Sequence, residues 1–347
     1  MNAFKHLSQL IGATPLSKIK YFYCGEERFI YVKHEHYNYT GSIKDRIALH
    51  ILHDAKKTGE LKDDGVIVEA TSGNTGISFA AIGRALGHKV RIFMPDWLSQ
   101  ERINLMKSFG AEVTLVSEQE GGFIGSINQT KALKAADAKV FLPSQFSNHK
   151  NCEAHYLSTG PEIHKQLTSL AVTPDAFIAG VGTGGTIMGV GHYLKEHYPM
   201  IKLFPLEPLN SPTLSMGEKV GKHRIQGISD DFIPDILKLD ELDDIISVDD
   251  GDAIRMAKKL ASDLGLGVGI SSGANFLGAV KIQNLLGKDA VVVTILPDDN
   301  KKYLSTDLMK DEPRKIAFMS CDIDRLSFED TICIQERDAF CKHYVND

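Results

Sequence analysis

Short apolar runs with the composition of β-strands alternate with helix-length segments along most of the chain. The strand-like runs are 28–33, 66–70, 90–94, 112–116, 176–180, 201–206 and 290–296. The helical segments are about 44–57, 75–86, 100–109, 125–136, 187–197, 250–264 and 274–286. Strands that are separated by helices form βαβ units. We therefore predict an α/β protein with mainly parallel sheets that helices cover on both faces.

Composition narrows the function classes. The 347 residues suffice for two domains, and 43% hydrophobic with 24% charged residues is ordinary for a globular protein. The net charge of −6 provides no basic surface for a nucleic acid or an anionic membrane. Small-molecule chemistry is therefore the expected function.

The cysteines and the N-terminus indicate a cytoplasmic protein. The 5 cysteines are widely spaced, without a Cys-x-x-Cys pair, and the histidines show no metal-binding spacing. No apolar run has the length of a signal-peptide core or of a membrane span. We expect reduced thiols, no metal site and no membrane contact.

Lys44 stands at the start of a helical segment that is entered through Gly41 and Ser42. A cation there is opposed by the helix dipole, and a solvated surface lysine is the more common case. The same positive potential, combined with burial, would lower the pKa of the amine from its usual value of about 10.4. A neutral lysine amine can form a Schiff base, so Lys44 is a candidate nucleophile.

Three loops rich in glycine and hydroxyl residues each precede a helix. They are 71–76 (TSGNTG), 182–186 (GTGGT) and 269–273 (GISSG). In open parallel sheets ligands bind at such strand ends, where helix N-termini present free N–H groups to anions. The first loop suits a small carboxylate. The second loop lacks the lysine of a nucleotide-binding P-loop, so it suits the phosphate of a cofactor rather than that of a nucleotide. Each loop taken alone could equally be a well-capped turn.

Together with Lys44, the order of these loops resembles the cysteine synthase and cystathionine β-synthase family of fold-type II pyridoxal-phosphate enzymes. The resemblance covers nearly all of residues 7–307. The matching stretches are 11–16 (IGATPL), 38–46 (NYTGSIKDR), 71–76, 143–148 (PSQFSN), 160–163 (GPEI), 182–186, 269–273 and 303–306 (YLST). Tyr39 replaces a proline of the family pattern.

The resemblance implies two doubly wound, mainly parallel-sheet domains with pyridoxal 5'-phosphate between them, and a homodimer. Residues 1–38 and 149–307 would form the larger domain, which binds the cofactor phosphate. Residues 39–148 would form a smaller, mobile domain that binds the substrate carboxylate. Residues 308–347 follow as a tail without a recognisable pattern. Packing on a dimer partner and covering of the cleft are both open for this tail.

The resemblance also assigns roles to individual residues. Lys44 would be the Schiff-base lysine and then the acid/base at the substrate Cα, Asn74 would bond the ring hydroxyl, and Ser271 would meet the pyridine nitrogen. The phosphate would be held by Gly182, Thr183, Gly184, Gly185 and Thr186. The substrate α-carboxylate would be bound by Thr71, Ser72, Thr75 and Gln145. A neutral partner such as Ser271 leaves the ring nitrogen unprotonated, which favours prompt loss of a β substituent.

The implied reaction is a β-replacement or β-elimination through an α-aminoacrylate, at the Cβ–S bond of cysteine or the Cβ–O bond of O-acetylserine. One loop departs from the family's glycine-rich Gly-Ile-Gly-x-Gly-Phe-Ile-Pro, since residues 227–234 read GISDDFIP. Its aspartates could point to solvent, as most do. Alternatively Asp231, in a glycine's place, reaches the aminoacrylate, repels hydrosulfide and acts as a general base on water. That alternative predicts conversion of L-cysteine and water to L-serine and hydrogen sulfide.

Other functions stay open at this point. The enzyme could make cysteine from O-acetylserine and sulfide, or release pyruvate and ammonia from cysteine. Loop 71–76 and Gln145 disfavour a serine or threonine dehydratase of the same fold. A non-catalytic partner of a serine acetyltransferase is disfavoured by the retained Lys44.

Overall fold

The structure is a computed structural model and describes residues 2–333. Its strands are β1 (Leu16–Tyr23), β2 (Glu26–His34), β3 (Val66–Ala70), β4 (Lys89–Pro95), β5 (Glu112–Val116), β6 (Val140–Phe141), β7 (Ala176–Gly180), β8 (Lys202–Pro208), β9 (Ile246–Val248), β10 (Val292–Leu296) and β11 (Ile323–Ile332). Its helices are α1 (Asn2–Ser8), α2 (Lys44–Thr58), α3 (Asn74–Ala85), α4 (Gln100–Ser108), α5 (Gly122–Ala136), α6 (Lys150–Leu157), α7 (Thr159–Ser169), α8 (Gly185–His197), α9 (Thr213–Met216), α10 (Asp250–Leu264) and α11 (Ile270–Leu286). Each strand and helix predicted above is present, with ends that differ by a few residues.

The larger sheet has seven strands in the order β11-β1-β2-β10-β7-β8-β9. From β2 to β9 every neighbouring pair is parallel, whereas β1 is antiparallel to both β2 and β11. Val293 of β10 lies opposite Tyr31 on one side and Phe177 on the other. The predicted α/β architecture with mainly parallel sheets is confirmed.

The smaller sheet has four parallel strands in the order β5-β4-β3-β6. All four lie between residues 39 and 148, whereas the strands of the larger sheet lie outside this range. The division into two domains at residues 38, 148 and 307 stays a prediction.

The central strand β10 shows why its sequence is a continuous apolar run. Val292 and Leu296 belong to a core cluster with residues of α10 and α11. Val293 and Ile295 belong to a second cluster with residues of α7 and α8. Alternate side chains thus enter the two faces of the sheet, and both faces are covered by helices.

The C-terminal tail contains a strand that the sequence did not predict. β11 pairs with β1 at the edge of the larger sheet, with two register shifts along the ladder. Ile323 and Leu326 are buried, while Phe328 is 44% exposed. The two register shifts interrupt the alternation of buried and exposed residues along β11, so its sequence has no regular period of two, which explains the failure. The rest of the predicted tail, from residue 334 on, lies outside the described residues.

The segment between residues 208 and 234 contains the single turn of helix α9 and otherwise irregular backbone. Within residues 2–333, no helix combines the length and apolarity needed to cross a membrane. The same part of the chain has no group of three or more His, Cys, Asp or Glu side chains that could hold a metal ion.

Candidate active site

A cleft that is partly open to solvent lies at the carboxyl ends of the parallel strands. Its walls are the segments after β3, β6, β7 and β10 and the first turns of α2, α3, α8 and α11. The sequence-predicted residues on its lining are Lys44, Thr71, Ser72, Asn74, Thr75, Gln145, Gly182, Thr183, Gly184, Thr186 and Ser271. Residues that are more than 200 positions apart in the sequence therefore share one cavity. Gly185 is not on the lining.

Lys44 is the first residue of α2. The chain before it is fixed to the end of β10, because Ser42 forms a bridge with Asp298 and the Ile43 N–H donates to Pro297 O at 2.9 Å. Burial lowers the pKa of the Lys44 amine to about 8, although the charges of Asp230 and Asp298 act in the opposite direction. A lowered pKa raises the neutral fraction of the amine, as a Schiff-base lysine requires.

A buried cluster of charges fixes the first turn of α2. Arg46 donates to Glu35 through Nε at 2.6 Å and to both carboxylate oxygens of Glu162 at 2.7 and 2.8 Å. Lys33 also donates to Glu162, at 2.8 Å. The side chains of Arg46, Glu35 and Lys33 have 0% exposure. The two positive and the two negative charges of the cluster compensate each other, which makes its burial tolerable.

The loop 71–76 leads into the first turn of α3. No side chain caps this helix. The Thr75 hydroxyl donates to the Gln145 amide oxygen at 2.7 Å, and the Gln145 amide donates to Ala70 O at 3.1 Å. Hydroxyl, amide and free backbone N–H groups therefore converge where a small carboxylate could bind.

The loop 182–186 leads into α8, which also has no side-chain cap, so its first N–H groups could bind an anion. Gly184 has a φ of +87°, a conformation that favours glycine. A side chain at Gly185 would lie 1.9 Å from the Asn151 side chain, which in turn donates to the Thr183 hydroxyl at 2.9 Å. The loop must therefore be made of small residues, and it suits a phosphate.

Two further groups fit a pyridoxal ring. Ser271 presents a neutral hydroxyl at the start of α11. Asn74 donates to Asp298 at 2.6 Å, while its buried amide oxygen has no partner among residues 2–333. A buried polar atom without a partner is costly, and a hydroxyl of a bound ring would satisfy it. The amine, the phosphate cradle and these two groups together fit the cofactor that the motifs imply.

The structure corrects the placement expected for Asp231. Its carboxylate is paired with Lys219 and is 35% exposed, and it is not on the cleft lining. The neighbouring Asp230 lines the cleft instead. Asp230 thus faces the cavity, whereas Asp231 is half-exposed beside Lys219. Burial, followed by the charge of Asp231, raises the pKa of Asp230 to about 7.

Arg102 and Gln226 also line the cleft and were missed by the sequence analysis. Arg102 of α4 is 1% exposed. Its guanidinium donates to Gln226, and it lies over the Tyr303 ring with 4.7 Å to the centroid. These contacts join segments that are far apart in the sequence. An arginine within a polar helix carries no local signal of such a role.

The comparisons with known proteins agree with this geometry. The family model described as pyridoxal-phosphate dependent enzyme matches residues 7–298. A cysteine synthase from Staphylococcus aureus is 44% identical over 303 residues, which are 87% of this chain and 96% of that protein. An O-acetylserine-type cysteine synthase from Entamoeba histolytica has a TM-score of 0.81 at 37% identity, with 91% of this chain and 94% of that chain covered.

A hydrogen sulfide-producing enzyme from Fusobacterium nucleatum has a TM-score of 0.94 at 57% identity, with 96% of this chain and 99% of that chain covered. An aspartate-to-asparagine variant of that enzyme, in complex with an α-aminoacrylate intermediate, has the same TM-score of 0.94.

The chain therefore belongs to the family of pyridoxal-phosphate dependent enzymes. The resemblance to cysteine synthases, the fold-type II architecture and pyridoxal phosphate as the cofactor are confirmed. The relatives support β-replacement or β-elimination on a small amino acid as the general chemistry.

Proposed function

We propose that the enzyme converts L-cysteine and water to L-serine and hydrogen sulfide. The observation that carries this proposal is the carboxylate of Asp230 on the lining of the same cleft as Lys44. The cysteine synthase pattern has glycines in this loop, and a carboxylate changes which nucleophile the cleft favours. The similar enzyme from Fusobacterium nucleatum produces hydrogen sulfide, which supports the same direction.

The residues of the cleft divide the work of holding the two ligands. Thr71, Ser72, Thr75 and Gln145 would hold the substrate α-carboxylate, and the loop 182–186 would hold the cofactor phosphate. Asn74 and Ser271 would orient the ring. Bound pyridoxal phosphate supplies an aldehyde that accepts amines and a ring that withdraws electrons from the substrate Cα. Lys44 would hold that aldehyde between turnovers.

Two groups of the chain would move protons. The Lys44 amine would take the proton from the substrate Cα and later return it. The Asp230 carboxylate would take a proton from the attacking water. The Cβ–S bond breaks, the sulfur leaves as hydrosulfide, and the Cβ–O bond forms with the water oxygen. One water enters and one hydrogen sulfide leaves, so the atoms balance.

The pKa of Asp230 suits this role, because a general base works best when its pKa is near the working pH. A negative charge at this place would also repel hydrosulfide and so oppose the reverse addition. Asp231, which the sequence had favoured, is paired with Lys219 and is assigned no role in the reaction.

A second candidate is the biosynthetic reaction, in which O-acetyl-L-serine and sulfide give L-cysteine and acetate. The 44% identity with a cysteine synthase favours it. The same loops and Lys44 would serve both reactions, so Asp230 is the discriminating residue. The homodimer implied by the family resemblance and the cytoplasmic location indicated by the cysteines stay expectations.

The test compares Asp230→Asn with Asp231→Asn. The two variants lose the same charge at adjacent positions, and the second serves as the matched control. Pure enzyme is incubated with cysteine, and sulfide, serine and pyruvate are measured. We expect Asp230→Asn to lower serine formation by about 10²- to 10⁴-fold, the usual contribution of a general base, and Asp231→Asn to keep most of it.

Full serine formation by Asp230→Asn would remove Asp230 from the mechanism. No sulfide release by the wild-type enzyme, with efficient cysteine formation from O-acetylserine and sulfide, would establish the biosynthetic reaction instead.

A further inference from the structure

The segment that carries Asp230 has little regular structure of its own. Gly227 has a φ of +94° and Ser229 a φ of +55°. Ser229 is held through its N–H by Val181 O at 2.8 Å and through its hydroxyl by Ser211 O and the Thr213 hydroxyl, both at 3.1 Å. Its carbonyl contacts the His223 ring at 3.1 Å. His223 is the neighbour of Arg224, so the direction of Asp230 depends in part on what fixes Arg224.

Arg224 fixes the start of the segment. Its guanidinium contacts Asp250 at 2.7 Å, Glu312 at 2.6 Å and Asp307 at 3.6 Å. Its backbone N–H also donates to Asp250, at 3.0 Å. An arginine held by two carboxylates in this way has both a fixed position and a fixed orientation. Hydrogen bonds with Glu312 and Asp250 raise the pKa of Arg224 further above its usual value.

Glu312 belongs to the C-terminal segment, defined here as residues 307–332. The Glu312 side chain is 7% exposed and donor groups surround it, with Arg224 Nη1 at 2.6 Å and Nη2 at 3.1 Å. A side chain at Gly251 would lie 2.3 Å from its carboxylate, so the pocket around Glu312 is filled.

The C-terminal segment is itself fastened to helix α10. Arg255 donates to Glu312 O at 2.8 Å. Asp252 accepts the backbone N–H groups of Met319 at 2.8 Å and of Ser320 at 3.0 Å. Beyond these contacts, β11 continues into the larger sheet. The segment is thus a rigid support rather than a loose tail.

We propose that Glu312 is a positioning residue for the reaction, which acts through Arg224 to hold residues 225–230 with Asp230 facing the cleft. The role of Asp230 in this statement rests on the proposed function. The matched family region ends at residue 298, so the support comes from a part of the chain that the family model does not include. The C-terminal segment thereby contributes to the choice of nucleophile, although it does not touch the cleft.

The first test measures the segment directly. Hydrogen exchange of the amides in peptides that span 225–230 is compared, with pyridoxal phosphate bound, for wild type, Glu312→Gln and Asp311→Asn. Asp311 is the exposed neighbour and provides a control with the same loss of charge. We expect faster exchange in Glu312→Gln and none of this change in Asp311→Asn. Unchanged exchange in Glu312→Gln would overturn the positioning role.

The second test is a double-mutant cycle between Glu312 and Asp230. We expect Glu312→Gln to lower kcat for sulfide release by about tenfold, as a displaced catalytic group does, with an unchanged KM and unchanged cofactor absorbance. In the Asp230→Asn background it should cause no further loss, because the group that it positions is already missing. An equal fractional loss in both backgrounds would show a general structural role and overturn the proposal.

The two proposals fail in different ways. If wild type releases no sulfide while exchange in 225–230 still rises in Glu312→Gln, only the proposed function is overturned. Should Glu312→Gln not fold, Glu312→Asp retains the charge on a shorter side chain, and the same two comparisons apply to it.

Discussion

The substitution Glu162→Gln tests the buried charge cluster around Arg46. Arg46 lies in the first turn of α2, two residues after Lys44. Glu162 accepts hydrogen bonds from Arg46 at 2.7 and 2.8 Å, from Lys33 at 2.8 Å and from the Ala13 N–H at 2.9 Å. Glutamine has nearly the same shape but removes one of the two negative charges. Two buried cations would then face Glu35 alone.

The magnitude follows from burial. Removal of one partner from a buried ion pair costs about 3–5 kcal/mol, because an uncompensated charge is left inside the protein. Total stabilities are about 5–15 kcal/mol, so this is a large fraction. At about 2 °C per kcal/mol for a large domain, we expect Tm to fall by about 6–10 °C.

The assay is thermal unfolding of the cofactor-bound enzyme, followed by circular dichroism. Glu153→Gln is the matched control, since Glu153 is 39% exposed and its pairs with His50 and Lys150 are screened by solvent. We expect the control to change stability by about 1 kcal/mol or less. If Glu162→Gln unfolded within about 2 °C of wild type, the cluster would not be an effectively buried ion pair and the reasoning would be refuted.

The same cluster predicts a pH dependence. Burial opposes ionisation of Glu35 and Glu162, but the charges and hydrogen bonds of Arg46 and Lys33 together outweigh it, and the pKa of each carboxyl lies below the ordinary value of 4.5. Their contribution to stability is therefore fully present above about 4.5 and is lost as the pH falls toward the folded-state values. The Tm of the wild type should fall steeply with pH in this acid range, whereas the Tm of Glu162→Gln should fall less steeply. Equal acid slopes would contradict this assignment.

Three predictions concern the cleft. Lys44→Ala should abolish turnover and the visible absorbance of the bound lysine adduct, and turnover that persists would contradict its role. The rate of sulfide release should rise as the pH passes through about 7, the pKa of Asp230, because the base must be ionised. The Asp230→Asn variant should lack this rise. A flat pH profile of the wild type would argue against Asp230 as the base. Arg102→Met removes the hydrogen bonds to Gln226 and Ser72 O. It should raise KM for cysteine by about tenfold, with less effect on kcat. An unchanged KM would show that Arg102 does not shape the loop that binds the substrate.

The parts of the fold with strong periodicity could be predicted from the sequence. Buried parallel strands such as Val292–Leu296 appear as continuous apolar runs. Helix α10 is followed by Gly265, whose left-handed φ of +69° terminates the helix. β11 could not be predicted, because its partner β1 lies about 300 residues away and the register shifts interrupt its alternation of buried and exposed residues. Local propensity contains no term for such a pairing.

The site shows the same limit. Motifs placed Lys44 and the anion loops in one cleft, because strand ends of parallel sheets converge. Whether Asp230 or Asp231 enters that cleft depends on two tertiary contacts. One is the pair of Asp231 with Lys219, and the other is the ion pair of Arg224 with Glu312. The order of residues in the loop is compatible with either aspartate, and the family pattern has neither.

The most direct test of the account is the fate of water oxygen during turnover of cysteine. Purified enzyme with bound pyridoxal phosphate is incubated with L-cysteine in ¹⁸O-labelled water, and the products are measured by mass spectrometry. The account predicts one hydrogen sulfide for each serine, with the label in the serine hydroxyl group. Sulfide released together with pyruvate and ammonia, or no serine at all, would contradict it.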